Sequence, residues 1–365
     1  MKILAKDVIL KLEILAPVEN AESYDNVGLI IGNQEQEVKN ILITLDLTEK
    51  VLVEAMEKNC NFVITFHPII FNPIKKINGN NFIEKILIRA LKNDILIYSI
   101  HTNLDNSWNG ITSYVTKILG INKEKVLFPK KGTMKKLYTY VPFDYVEKVR
   151  NALFKSGAGE ISNYSHCSYN FNGIGSFMGN ELSKPFTGKK NIFCMEKETC
   201  ISVTFPSFKL NSIQKSLINH HPYEEVPYEI YNIENINPYV GIGIIGKIKK
   251  MNEYNFISLL KNKMNLSYIR HSKFMNRNIE RVSIITGSGR FGIEKSIKES
   301  SDVFITSDLK YHDFFKSDKM LIIEIDHYES EIFFKKLLKT FLEKSFHSFF
   351  IHESKINTNP IKYFS

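Results

Sequence analysis

KNILITLDLTEKVLVEAMEKNCNFVITFH (39–67) and ERVSIITGSGRFGIEKSIKESSDVFITSD (280–308) decide the fold. Each reads as a β-branched strand, a turn, a segment of helical spacing and a second strand ending in V-I-T or F-I-T. After a further helical segment, NDILIYSIHTNLD (93–105) in the first copy matches DKMLIIEIDHYESE (318–331) in the second. Short, continuously apolar strands separated by helices indicate parallel β-α-β units with both sheet faces covered. The agreement extends to polar positions, so the first and third parts of the chain read as two pseudo-repeated α/β lobes of one core.

Between the copies the pattern changes. KLYTYV (136–141) reads as a strand and FDYVEKVRNALFKSG (143–157) as a helix closed by Gly157. Two strands follow, one near 166–177 and one at CISVTF (200–205). A helix over about 208–220 and a last strand, YEIYNI (228–233), complete the order β-α-β-β-α-β, the ferredoxin-like arrangement. LFPKKGTMKK (127–136) and NINPYVGIG (235–243) read as its two connections. The expected division is therefore 1–134 for the first lobe, 135–233 for the insert and 234–365 for the second lobe. A chain of 365 residues is long enough for such a division.

Hydrophobic residues make up 43% and charged residues 24%, the balance of a globular protein. Cys60, Cys167, Cys194 and Cys200 form no C-x-x-C pair, which points to reduced thiols and a cytoplasmic location. At the N-terminus Lys2, Lys6 and Lys11 interrupt the apolar residues, so MKILAKDVILKLEIL reads as an amphipathic helix rather than a signal peptide. No apolar run approaches the roughly 18 residues of a membrane span, which excludes a membrane partner. The net charge of +9 invites a nucleic-acid partner. The lysines are scattered, however, and no Arg/Lys stripe forms. Abundant Ile, Lys and Asn, residues of AT-rich codons, account for part of the charge.

The polar positions of the repeat lie just past the carboxyl ends of strands, the edge where open α/β sheets bind ligands. Copy one supplies His101 and Asp105, and copy two supplies His327 and Glu331. A histidine and a carboxylate four residues apart share one face of a helix and make half of a divalent-metal site. A single such pair is usually a surface ion pair. Its recurrence at matching strand ends favours metal. His67 ends the second strand of copy one, and Asp308 is its counterpart. His220-His221-Pro222 resembles a metal motif in form, but it lies in the insert and reads as a surface turn. His312, before Asp313, is placed to line the ligand edge. His271, His347 and His352 have no partners in sequence and read as structural. Gly287-Ser288-Gly289 reads as a tight turn.

The chain resembles the Nif-three-like dinuclear-metal family, also called GTP cyclohydrolase I type 2 homologues. The resemblance rests on YDNVGLIIGN (24–33), ITLDLT (43–48), ITFHPIIF (64–71), HTNLD (101–105), FITSDLKYHD (304–313), DHYESE (326–331) and NTNPIKYF (357–364). The insert resembles that of the longer bacterial members through VPFDYVEKVRNALFKSGAGEISNYSHCS and HPYEEVPYEIY. The resemblance implies a PII-like insert, a toroidal homohexamer and two divalent ions. By carry-over His67, Asp105 and Glu331 hold one ion, and His327 with a bridging Glu331 holds the other. His101 belongs to the same cluster. The family pattern has His-His-Pro where this chain has Phe66-His67-Pro68, and phenylalanine offers no lone pair. One tight ion of the zinc, manganese or iron class is therefore expected, with a second weak or missing, although Asp326 could supply a carboxylate near the weakened position. Two functions are compatible with this site. One is a metal-dependent hydrolase of a small nucleotide-like or heterocyclic substrate, with Asp308, His101 or His312 as general base. The other is a metal-binding scaffold whose insert senses a ligand.

Overall fold

The computed structural model describes residues 2–364. Its strands, in chain order, are β1 (Gly28–Ile31), β2 (Ile41–Thr44), β3 (Phe62–Thr65), β4 (Leu96–Ser99), β5 (Asn122–Pro129), β6 (Met134–Pro142), β7 (Tyr169–Phe177), β8 (Cys194–Pro206), β9 (Tyr228–Asn232), β10 (Gly241–Asn252), β11 (Arg270–His271), β12 (Asn278–Ser288), β13 (Val303–Ser307), β14 (Leu321–Glu324) and β15 (Ile351–Glu353). The α/β class read from the sequence is observed. Residues 1–129 with 238–365 form one compact unit and 130–237 a second.

The larger unit contains two sheets. The first has the order β1-β4-β3-β2-β15, and β2, β3 and β4 run parallel with Thr44, Thr65 and Ser99 side by side. Every residue of these three strands is buried. The two-residue period sends Ile41, Ile43, Phe62, Ile64, Leu96 and Tyr98 into one core and Leu42, Val63 and Ile97 into another. Helices cover the second face. Helix Glu49–Glu57 begins where the Thr48 side chain accepts from Val51 N, and helix Phe82–Lys92 where Asn81 accepts from Glu84 N. Such caps contribute about 1 kcal/mol each.

The second sheet has the order β11-β14-β13-β12-β10-β5, with β12, β13 and β14 parallel. β10 and β5 on one side of these strands and β11 on the other are antiparallel to their neighbours. Both segments expected as connections are thus partly strand: β5 runs to Pro129 and β10 starts at Gly241. NKEKVLFP buries only Val126 and Leu127, so no apolar run marked it in the sequence. The two sheets also take edge strands from distant parts of the chain. β5 precedes the insert yet joins the second sheet, and β15 near the chain end joins the first.

The smaller unit is an antiparallel sheet of order β7-β8-β6-β9. Helices Val146–Lys155 and Leu210–His220 pack on it through Val149, Leu153, Ile213 and Leu217, against Leu137, Val141, Ile201, Val203 and Phe205. Among the described residues no helix is long and apolar enough to cross a membrane.

Candidate metal centre

The parallel registers build the site. Because β2, β3 and β4 end level with one another, Asp46, His67 and His101, each two residues past its strand, emerge in a row. In the second sheet β13 delivers Asp308, and β14 leads into the short helix His327–Glu331.

His67 Nε2 lies 3.2 Å from Glu331 Oε2, and His327 Nε2 lies 3.1 Å from the same oxygen. Ligand atoms of His67, His327 and Glu331 all fall within 4.8 Å of one another. Glu331 is only 3% exposed, and the two imidazoles are the neighbours of its Oε2. Two ring nitrogens and one carboxylate oxygen therefore face a common point, as the ligands of a cation do. Asp105 Oδ1 is a buried oxygen without a hydrogen-bond partner. Gly287 makes room for the cluster: with φ +67° it lies so close that a Cβ would overlap Glu331 Oε1.

Each histidine is held from behind by a carboxylate. His67 Nδ1 meets Asp46 Oδ1 at 2.8 Å, His101 Nδ1 meets Asp25 Oδ1 at 3.0 Å, and His327 Nδ1 meets Asp308 Oδ2 at 2.7 Å. With Nδ1–H donating to the carboxylate, the Nε2 lone pair is available to a metal. The supports are anchored in turn. Thr358 Oγ1 donates to Asp46 Oδ2 at 2.7 Å, and Thr102 N donates to Asp25 Oδ2 at 3.0 Å. Sequence reasoning did not single out Asp25 or Asp46 as site residues, although both lie in the family-like segments YDNVG and ITLDLT.

The buried charges of the cluster shift one another. Burial opposes charge on His67, but Asp46 and Glu331 outweigh it and raise the imidazole to about 9. The same balance with Asp308 and Glu331 raises His327 to about 10. Burial would also raise Asp25, but His101 and Thr102 bring it down to about 2. Asp105 is pushed well above the usual carboxylate range, by burial first and then by the charge of Glu331.

The structure brings His67, His327 and Glu331 together and sets His101 alongside, with its ring 5.2 Å from that of His67. Asp105 senses the charges of Glu331, His67 and His327. His67 and His327, expected at different ions with Glu331 bridging them, both approach the same Glu331 oxygen. Asp308 stands behind His327. His312 is exposed, and its ring neighbours are Tyr311 and Phe315. Asp326 accepts from the hydroxyls of Tyr268 and Tyr363, so its carboxylate is already engaged. Phe66 is fully buried, 5.2 Å from the rings of both His67 and His101 and 5.0 Å from Phe334. His221 is buried rather than on a surface turn. Its Nδ1 accepts from Tyr223 N, and its Nε2 bonds to Tyr140 O at 3.0 Å.

The fold and this cluster define an α/β protein with a candidate divalent-metal centre at the carboxyl ends of the parallel strands of two mixed sheets. The family model for Duf34/NIF3 (NGG1p interacting factor 3) matches residues 3–360, and the chain belongs to that family. It is 32% identical over 368 residues to the GTP cyclohydrolase 1 type 2 homolog of Bacillus subtilis, covering 98% of each chain. It is 31% identical over 354 residues to that of Staphylococcus epidermidis, covering 95% of this chain and 96% of the other. The crystal structure of a Bacillus cereus protein related to NIF3 superposes with a TM-score of 0.84 at 30% identity, covering 100% of both chains.

Proposed function

We propose that the chain holds a divalent ion of the zinc, manganese or iron class at His67, His327 and Glu331 and hydrolyses a small nucleotide-like or heterocyclic substrate. The convergence of two imidazole nitrogens on one buried carboxylate oxygen carries this reading. Two nitrogens and one oxygen, with positions left open, suit a borderline divalent ion in a catalytic setting. Bound there, the ion would supply Lewis-acid polarisation and an acidified water. Asp46 and Asp308 orient the imidazoles, and Phe66 keeps one wall dry. Asp105, whose Oδ1 is buried without a partner and which interacts with the charges of Glu331, His67 and His327, would complete the ligand set or hold a proton. Of the three proposed bases, His101 is the best placed: its ring lies 5.2 Å from that of His67, whereas the Asp308 carboxylate is directed to the outer nitrogen of His327 and the ring neighbours of His312 are Tyr311 and Phe315. Elemental analysis after dialysis tests the centre. Turnover by metal-loaded protein on a panel of guanine and other nucleotides and cyclic amides tests the reaction, and the relatives' name places GTP on that panel.

A second reading is a metal-binding scaffold whose insert senses a ligand. It is supported by unit 130–237, which has its own sheet and core, with the β-α-β-β-α-β order of a ferredoxin-like, PII-like domain. Metal-loaded protein without turnover on any substrate would favour it. In either reading we propose a homohexamer in the cytoplasm. Leu10 and Ile14, exposed at a spacing of four on helix Ala5–Leu15, and four free cysteines support it. Light scattering near six times 42.3 kDa is the check.

A further inference from the structure

Unit 130–237 contains a cavity of ≈ 540 Å³ that the metal centre does not use. Its walls are largely apolar, and Tyr140, Phe171, Phe177, Phe186 and Tyr223 supply five aromatic rings. Glu198 also lines it and is only 8% exposed, while Glu224 and Glu225 line it as exposed residues. No Lys, Arg or His is among the described lining residues, although the chain carries a net charge of +9. Glu198 Oε1 accepts from the Tyr223 hydroxyl at 2.7 Å. Glycine at 175 makes room for the other side of the carboxylate, because a Cβ there would overlap Oε2. The hydroxyl of Thr187, another lining residue, is buried and has no hydrogen-bond partner.

We propose that this cavity binds an organic ammonium ion with an apolar body, its charge set against Glu198 and the aromatic faces. A carboxylate held away from water without a counter-charge is costly, and a bound cation removes that cost. Aromatic faces attract the same charge, most strongly where water is excluded. An anionic ligand would meet three carboxylates. A neutral one would leave Glu198 without a cation, and a bare metal ion would find too few oxygens among apolar walls. The inference is independent of the metal-centre reading.

The test titrates benzyltrimethylammonium into the full chain by calorimetry, beside benzyl alcohol and benzoate. A quaternary nitrogen has no lone pair, so it cannot report binding to a metal ion. Saturable binding of one cation per chain is expected, about tenfold or more tighter than the alcohol, with benzoate weaker still. Glu198→Gln preserves shape and an acceptor for Tyr223, and it should cost the cation about tenfold while leaving benzyl alcohol unchanged. Comparing the three probes on the unaltered chain decides the matter even if that variant does not fold. Absence of saturation, equal affinity for the alcohol, or an unchanged cation affinity in folded Glu198→Gln would overturn the proposal.

Discussion

Asp308 reaches His327 Nδ1 at 2.7 Å from a backbone in the left-handed region, with φ +57°. That conformation aims the carboxylate at the outer nitrogen of an imidazole in the proposed metal centre. Asp308 is therefore a positioning residue. Asn tolerates the same backbone, so Asp308→Asn should fold normally. It should weaken the first ion roughly 10- to 100-fold, the usual effect of losing such a support. Chelator competition measures this, and an unchanged affinity would remove Asp308 from the centre.

Gly287→Ala tests the packing behind Glu331. A Cβ at this position would overlap Glu331 Oε1, and φ +67° disfavours alanine by about 1–2 kcal/mol. The variant removes no ligand, yet it should lose metal occupancy together with thermal stability. Full occupancy at a lowered melting temperature would show that the carboxylate can shift without harm.

How much of this was legible in the sequence depends on the residue. His67, His327 and Glu331 are legible because they follow strands whose short, mostly apolar runs, FVIT and LIIE, are easy to read. Asp46 and Asp25 act through histidines 21 and 76 residues away, and that pairing follows from strand register, which periodicity does not reveal. β5 and β10 were hidden for another reason. β5 buries only Val126 and Leu127 of its eight residues, and glycines at 241, 243 and 246 interrupt the buried part of β10, so neither shows the uniform run that marks β3. The placement of β5 and β15 at sheet edges is a property of topology that local pattern does not encode.

The two site histidines set a pH dependence in metal-free protein. Their folded values of about 9 and about 10 lie above the roughly 6.5 of an unfolded histidine. The folded state then holds more protons, so its added stability is complete below pH ~6.5 and drains away as pH rises through 9 and 10. Melting temperatures of the metal-free chain should fall over that range more steeply than those of a His67→Gln, His327→Gln double variant. Metal must displace these protons, so loading near neutral pH should release them into a weak buffer. Parallel melting curves for the two proteins would contradict the ion-paired state.

The metal count turns on Phe66. Its ring lies against His67 and His101, so a second cation would meet an apolar face where it needs a lone pair. Elemental analysis after dialysis should give nearer one ion than two per chain. Phe66→His should raise the second occupancy at some loss of stability, because it places a polar ring in a fully buried position. Asp105→Ala should deplete the first ion if Asp105 Oδ1 joins the ligand set. Two tightly held ions in the unaltered chain would mean that another side chain replaces the missing imidazole.

Removing the inserted unit tests whether the larger unit folds and binds metal alone. Pro129 pairs with Gly241 across the antiparallel strands β5 and β10, so the two ends of the excised segment already sit opposite one another. Val240 is fixed by a bridge to Ser107, and Tyr239 O accepts from Trp108 N. Joining Pro129 to Pro238 through Asn-Gly therefore asks only for a short hairpin loop, and the loop-closure cost changes slowly with length. The ligands and their supports all lie outside 130–237. The shortened chain should be soluble, melt cooperatively and keep its metal content per chain, while losing the ammonium-binding cavity altogether. An insoluble product, or a folded one that no longer retains metal, would show that the inserted unit is required to build the centre.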